Sequence, residues 1–238
     1  MCVLKNFGMI EGVRKIGFDA DDTLWVNETY FRETEQAFYE LVGSYVDEKT
    51  AEKELFQTEM QNMSLYGYGV KAFILSVIET TIRITGGKIP VDVIAEIICL
   101  GKKQLSHAVE LLDGVDETLN ALAGRYELIL VTKGDLLDQE HKLADSGLEH
   151  FFHHVEVVTD KTEYEYSKLL KHINVLPEEF LMVGNSMRSD VLPPLALGCY
   201  AIHVPSQIIW LHEHIEAPVA HPHFHAVNTI RDIMPLLL

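Results

Sequence analysis

Basic residues are scarce in this chain: 19 lysines and arginines face 36 acidic residues, for a formal charge of −17. A surface of that sign repels phosphate backbones and anionic membranes, which argues against a nucleic-acid or membrane partner. An anionic substrate would need a site that makes positive potential locally, from a bound cation and a lysine. Cysteine is scarcer still. Cys2, Cys99 and Cys199 are odd in number and far apart, which fits neither a disulfide framework nor a zinc signature and reads as reduced thiols. Long apolar runs are missing as well. The opening MCVLKNFGMIEGVRK lacks the apolar core of a signal peptide, and no stretch reaches the roughly 18 uncharged residues of a membrane span. A soluble, cytoplasmic protein is the expectation, and both a monomer and a dimer are compatible with it. Internal repeats and low-complexity linkers are also absent.

What remains is an ordinary globular composition, 47% hydrophobic over 238 residues, enough for one catalytic domain carrying a smaller inserted one. The run Lys15–Phe18 is a short apolar strand that ends in acids. From about residue 113 strand and helix patterns alternate, with strands over Glu127–Thr132, His154–Thr159, Phe180–Gly184 and Tyr200–Val204. Helical patterns fill residues 116–123, 135–146, 163–173 and 189–197 between and after them. Asp135 is placed to cap the second of these and Gly147 to stop it. Short, continuously apolar strands separated by amphipathic stretches predict an α/β fold: a doubly wound, Rossmann-like parallel sheet.

The first strand is followed by helical periodicity instead of a second strand. Apolar residues recur at three- and four-residue spacing over 28–43, 47–62, 68–83 and 91–107, with turn signals at Gly43-Ser44, Gly67/Gly69 and Gly86–Pro90. We therefore expect a helical cap domain over residues 26–110, inserted into a core of residues 1–25 and 111–238. In such sheets ligands sit beyond the carboxyl ends of the strands, and an insertion leaving that edge is placed to form a lid.

The densest chemical signal is Asp19-Ala20-Asp21-Asp22-Thr23 at the end of the first strand. Two carboxylates two positions apart can hold a hard cation such as Mg²⁺. They can also divide the labour, one attacking while the other moves protons. An acidic turn would carry the same letters, so the motif needs company. It has company at the ends of the next three strands. Thr132, followed by Lys133-Gly134, offers a hydroxyl and backbone N–H groups for a phosphoryl oxygen. Lys161 offers an ammonium beside crowded carboxylates. Gly184-Asn185-Ser186-Met187-Arg188-Ser189-Asp190 offers further oxygen ligands. Lys168 rivals Lys161 but falls inside a predicted helix.

With these motifs in this order, the whole chain resembles the haloacid dehalogenase superfamily, in the subgroup with a helical cap after the first motif. The resemblance implies a phosphatase in which Asp19 is the nucleophile of a phosphoaspartyl intermediate and Asp21 the general acid and base. It implies that Thr132 binds the phosphoryl group and that Lys161 steadies nucleophile and phosphate. Mg²⁺ would be held by Asp19, the Asp21 carbonyl and the last motif, through Asn185, Asp190 or both. The family has Asp where this chain has Asn185, which removes one negative charge and predicts weaker metal binding. A small phosphorylated metabolite is the expected substrate. A phosphomutase of the same superfamily and a non-catalytic binding protein stay open as alternatives. Asp21 disfavours a dehalogenase, because halide departure needs no acid.

Other features are weaker. Tyr66-Gly67-Tyr68-Gly69-Val70-Lys71 is either a turn between cap helices or a substrate-contacting loop whose two phenols, Tyr68 among them, and Lys71 ammonium face the substrate. Lys133, next to Thr132, is a separate phosphate-binding candidate. Trp25 is expected where core and cap join. His212-Glu213-His214 and His221-Pro222-His223-Phe224-His225 read as a solvated edge or tail, and Cys199 as a small core residue.

Overall fold

The computed structural model describes residues 9–206, 208, 210, 213, 215 and 220–238. Cys2, His212 and His214 lie outside them.

Six strands form one sheet: β1 (Lys15–Phe18), β2 (Glu127–Lys133), β3 (Phe152–Val158), β4 (Phe180–Gly184), β5 (Tyr200–His203) and β6 (Phe224–Ala226). Their order across the sheet is β3-β2-β1-β4-β5-β6. β1 runs parallel to both β2 and β4, with Phe18 opposite Leu130 on one side and Val183 on the other. β5 is parallel to β4 and β6. The central strands are buried along nearly their full length. That is the burial of a sheet covered on both faces, and it explains their unbroken apolar sequences. One side packs Ile129, Val131, Phe180 and Met182 against Tyr166, Leu169 and Leu170 of the helix α7 described below. Cys199 lies in the same cluster, fully buried. β6 extends the sheet beyond the five strands expected. It draws on the histidine-rich segment, burying His225 while His223 stacks on Tyr200, so this part of the segment is an edge strand and not a solvated tail.

The helices follow the apolar periodicity closely. They are α1 (Glu28–Val42), α2 (Glu48–Tyr66), α3 (Val70–Ile84), α4 (Val91–Leu105), α5 (Val115–Ala123), α6 (Leu136–Ser146), α7 (Glu163–His172) and α8 (Leu192–Ala196), with a last short turn, α9 (Met234–Leu237), at the end of the described residues. Asp47 and Thr162 cap α2 and α7 by accepting from the backbone N–H groups of Thr50 and Glu165. Asp135 does the same for α6 through the Asp138 N–H at 3.1 Å. Gly147 follows α6 with φ +70°, the left-handed geometry that ends a helix. The pattern predicted over 189–197 is split: a single wide turn at Met187–Val191 precedes a short α8 that carries proline in its first turn.

The chain divides into two compact units. The sheet unit comprises Met1–Val26, Glu110–Thr132 and Ser146–Leu238. The helical unit comprises Asn27–Val109 together with Lys133–Asp145. Its core is Phe38, Val42, Leu55, Phe73, Val77 and Ile97. Side chains show why Lys133–Asp145 groups there. The Lys133 ammonium lies 4.3 Å from the centre of the Tyr68 ring, Lys71 pairs with Asp135 at 2.7 Å, and Lys142 donates to Asn27 at 2.9 Å. No helix among the described residues is long and apolar enough to cross a membrane.

Candidate active site

The register of the sheet brings the motif residues together. Asp19 follows Phe18, Thr132 stands two residues past Leu130, and Gly184 one past Val183. The Asp19 N–H donates to the Val183 carbonyl at 2.9 Å. All three positions are thus carboxyl ends of adjacent strands, where this sheet type places its chemistry.

Asp19 is buried, and both of its oxygens are engaged. Oδ1 accepts from Lys161 Nζ at 2.5 Å, and Oδ2 accepts from the Thr23 hydroxyl at 2.8 Å. Lys161 Nζ also donates to Asp190 Oδ1 at 2.7 Å. Asp190 is held further by the Ser186 N–H, which reaches its Oδ2 at 3.0 Å. A Cβ on Gly184 would collide with this carboxylate, so glycine there makes room for Asp190. Lys168, by contrast, is largely exposed and pairs with Glu165.

Two carboxylates share one ammonium in a site where each side chain is almost wholly buried. Burial pushes the Asp19 carboxyl up to about 7, helped by the charge of Asp190 and opposed by Lys161 and Thr23. Burial alone would lower the Lys161 value, but Asp19 and Asp190 outweigh it and hold the ammonium protonated. The trio thus sets two carboxylates around a single ammonium in a water-poor place, where further positive charge is favourable. The donors suit a hard ion. Thr23 Oγ1, already bonded to Asp19, lies 3.4 Å from Asn185 Oδ1, so two oxygen-bearing side chains converge on it. His203 Nε2 donates to the Asn185 carbonyl at 2.9 Å and fixes that loop.

Asp21 differs from Asp19 in being half-buried. Its Oδ1 accepts from the Trp25 indole N–H at 2.7 Å. The turn between them is tight: Asp22 sits at φ +60° and its N–H donates to the Trp25 carbonyl. Short polar side chains tolerate that left-handed geometry best. Thr132 is buried at the end of β2. Tyr68 and Lys133 meet each other inside the helical unit, as described above.

Residues 13–198 match the family described as hydrolase, haloacid dehalogenase-like hydrolase. The chain belongs to that family. A solved haloacid dehalogenase-like hydrolase from Xanthomonas campestris is 34% identical over 97% of this chain and 96% of its own, with a TM-score of 0.85. A glyceraldehyde 3-phosphate phosphatase of Methanopyrus kandleri is 22% identical over 81% of this chain and 84% of its own length. A protein of the same name from Methanothermobacter thermautotrophicus is 32% identical, but the match spans only 35% of this chain and 39% of that relative.

This haloacid dehalogenase-like hydrolase also holds site residues that sequence reasoning left without a role. Thr23 ties Asp19 to the Asn185 loop, whose N–H also donates to its hydroxyl at 3.1 Å; its place in the DxDxT run was the available signal. Trp25 is buried and orients Asp21. The Tyr166 hydroxyl donates to the Ser189 carbonyl, and Glu213 accepts from the hydroxyls of Ser186 and Ser189. These contacts join residues distant in sequence, so no local pattern announces them.

Proposed function

We propose that the protein is a Mg²⁺-dependent phosphomonoesterase that cleaves a small phosphorylated metabolite through a phosphoaspartyl intermediate on Asp19. The observation that carries this reading is the buried trio Asp19, Lys161 and Asp190 at the carboxyl edge of the sheet. The phosphatase names of the two archaeal relatives support it, and glyceraldehyde 3-phosphate is a rational first physiological substrate. Cys99 and Cys199 are both free, which supports a cytosolic location.

In the first half-reaction an Asp19 oxygen attacks phosphorus while the ester P–O bond breaks, and Asp21 gives its proton to the departing alkoxide. In the second, Asp21 takes a proton from water, the water oxygen attacks phosphorus, and the bond to Asp19 breaks to release phosphate. Thr132 binds a phosphoryl oxygen, and Lys161 offsets charge on nucleophile and phosphate. Asp19, the Asp21 carbonyl and Asn185 would hold Mg²⁺, which on binding neutralises negative charge on the phosphate oxygens. Asp190 positions Lys161 and Ser186, so we assign the direct ligand role to Asn185 before Asp190. Trp25 keeps Asp21 aimed. Tyr68 and Lys133 are candidate specificity residues, with the helical unit as the cap.

The test is hydrolysis of p-nitrophenyl phosphate and glyceraldehyde 3-phosphate by wild type and Asp19→Asn, with Mg²⁺ and with EDTA. Metal-dependent phosphate release by wild type alone is the expected result. A mutase would return the phosphoryl group to the organic product instead of releasing it. Full activity in Asp19→Asn would overturn the mechanism, because an amide is not a competent nucleophile.

A further inference from the structure

β3 is an edge strand, and it carries two potential metal ligands in register. His154 and Glu156 are two residues apart, so both side chains stand on one face of the sheet. Exposure along the strand alternates accordingly, with His153 and Val155 exposed and His154 and Glu156 half-buried. α7 then delivers His172, its last residue, to the same face. His154 Nε2 lies 2.8 Å from Glu156 Oε2, and His172 Nδ1 lies 3.7 Å from that same oxygen. The two imidazoles meet edge to face, their centres 4.8 Å apart at 76°. One donor atom from each of the three residues lies within 4.8 Å of the others.

We propose that His154, Glu156 and His172 form a second cation site, for a borderline transition-metal ion of the Zn²⁺ type. Donors of a tetrahedral zinc site, with bonds of about 2.0–2.2 Å, stand about 3.4 Å from one another. The observed spacings bracket that value, so small side-chain rotations close the shell and leave the fourth position to water. Two imidazoles and one carboxylate select Zn²⁺ or Co²⁺ over Mg²⁺, which prefers oxygen alone. His172 ends its helix, where the partial negative charge of the carbonyls favours a cation. Lys168, whose charge also bears on Glu156, is itself held by Glu165 at 2.8 Å.

The site has a structural consequence. α7 begins directly after Lys161 and supplies Tyr166 to the Ser189 carbonyl beside Asp190. An ion joining the far end of α7 to β3 fastens the element that carries these groups. The inference is independent of the phosphatase reading, since none of its three ligands belongs to the Asp19 site.

The test uses the full chain in excess Mg²⁺, titrated with Co²⁺ and read by visible absorption. Wild type is expected to develop the intense bands of a four-coordinate ion at one equivalent and to lose them when Zn²⁺ is added. His154→Ala and His172→Ala, checked for folding by circular dichroism, should each weaken Co²⁺ binding at least about tenfold. Asp19→Asn should retain the bands, which separates this site from the catalytic one. The double variant His221→Ala, His223→Ala should retain them too, which separates it from the C-terminal histidines. Bands that persist in His172→Ala, or their absence in wild type, would overturn the proposal and leave His154 and Glu156 as an ordinary edge-strand ion pair.

Discussion

Replacing Lys161 by methionine keeps the side chain's length and removes its charge, which isolates what the ammonium does. In the wild type Nζ lies 2.5 Å from Asp19 and 2.7 Å from Asp190. The two carboxylate oxygens are therefore no more than about 5 Å apart, and without the lysine they repel by about 3 kcal/mol at an effective dielectric of about 20. Removing one partner of a buried pair generally costs about 3–5 kcal/mol, a large part of a domain's total stability of roughly 5–15 kcal/mol. The sign with pH follows from Asp19. Its folded-state value of about 7 lies above its ordinary 3.8. The stability from its bound proton is therefore full below the lower value and lost as pH rises through the higher one. Loss of the lysine pushes the folded-state value further up, so the penalty grows with pH. We expect metal-free Lys161→Met to be destabilised by about 3–5 kcal/mol at pH 8 and by less than half of that at pH 5. Urea denaturation in EDTA, followed by tryptophan fluorescence, measures this for the correct unit. Both tryptophans, Trp25 and Trp210, belong to the sheet unit. A loss below about 1 kcal/mol, or an equal loss at both pH values, would refute the buried-trio account.

Three further outcomes follow from single contacts. Trp25→Phe removes the hydrogen bond to Asp21. A bond to a charged group is worth about 1.5–3 kcal/mol, so steady-state kinetics should show kcat lowered by at least about tenfold with KM little changed; unchanged kcat would free Asp21 from Trp25. Asn185→Asp restores a charged oxygen donor and should tighten Mg²⁺ activation by about tenfold, as a change of about 1.4 kcal/mol would, read from activity against Mg²⁺ concentration. In the helical unit, burial with Glu35 and Glu28 raises Glu59 to about 8 against the pull of Arg32. Its contribution to stability is thus present below its ordinary value of 4.5 and lost as pH climbs through about 8. Glu59→Gln should accordingly raise the melting temperature by about 2–4 °C at pH 9 for each 1 kcal/mol relieved, with no gain at pH 4. Circular dichroism at the two pH values checks it.

Much of this fold was legible because its signals are local. The four helices after β1 show apolar residues at helical spacing, and their ends are marked by Asp47, Gly67 and Pro90. β1, β2, β4 and β5 are unbroken apolar runs, as doubly covered strands must be. β6 was not legible, since three residues within a histidine-rich stretch carry no periodicity, and only pairing with β5 makes them a strand. The split at Met187–Val191 was hidden for a similar reason. It arises where Asp190 turns back to Lys161 and Ser186, a long-range demand that overrides local helix propensity. The placement of Lys161 shows the reach of ordered motifs: a loop lysine is ordinarily solvated, yet its position after the third strand identified one that is buried. Thr23 was signalled by its place in the DxDxT run, and Trp25 reaches Asp21 within one local turn. The roles of Tyr166 and Glu213 depend on contacts between residues distant in sequence and could not be read from spacing.

The central claim is that Asp19 is phosphorylated during turnover. The direct measurement is acid-quench trapping with a ³²P-labelled acyl or alkyl phosphate, followed by peptide mapping, in wild type, Asp19→Asn and Asp21→Asn. The account predicts acid-stable, hydroxylamine-labile label on the Asp19 peptide in wild type and none in Asp19→Asn. It also predicts more label in Asp21→Asn when the substrate's leaving group needs no protonation, because Asp19 is still phosphorylated while hydrolysis lacks its base. Phosphate release by wild type with no label on Asp19, or label of equal strength in Asp19→Asn, would contradict it.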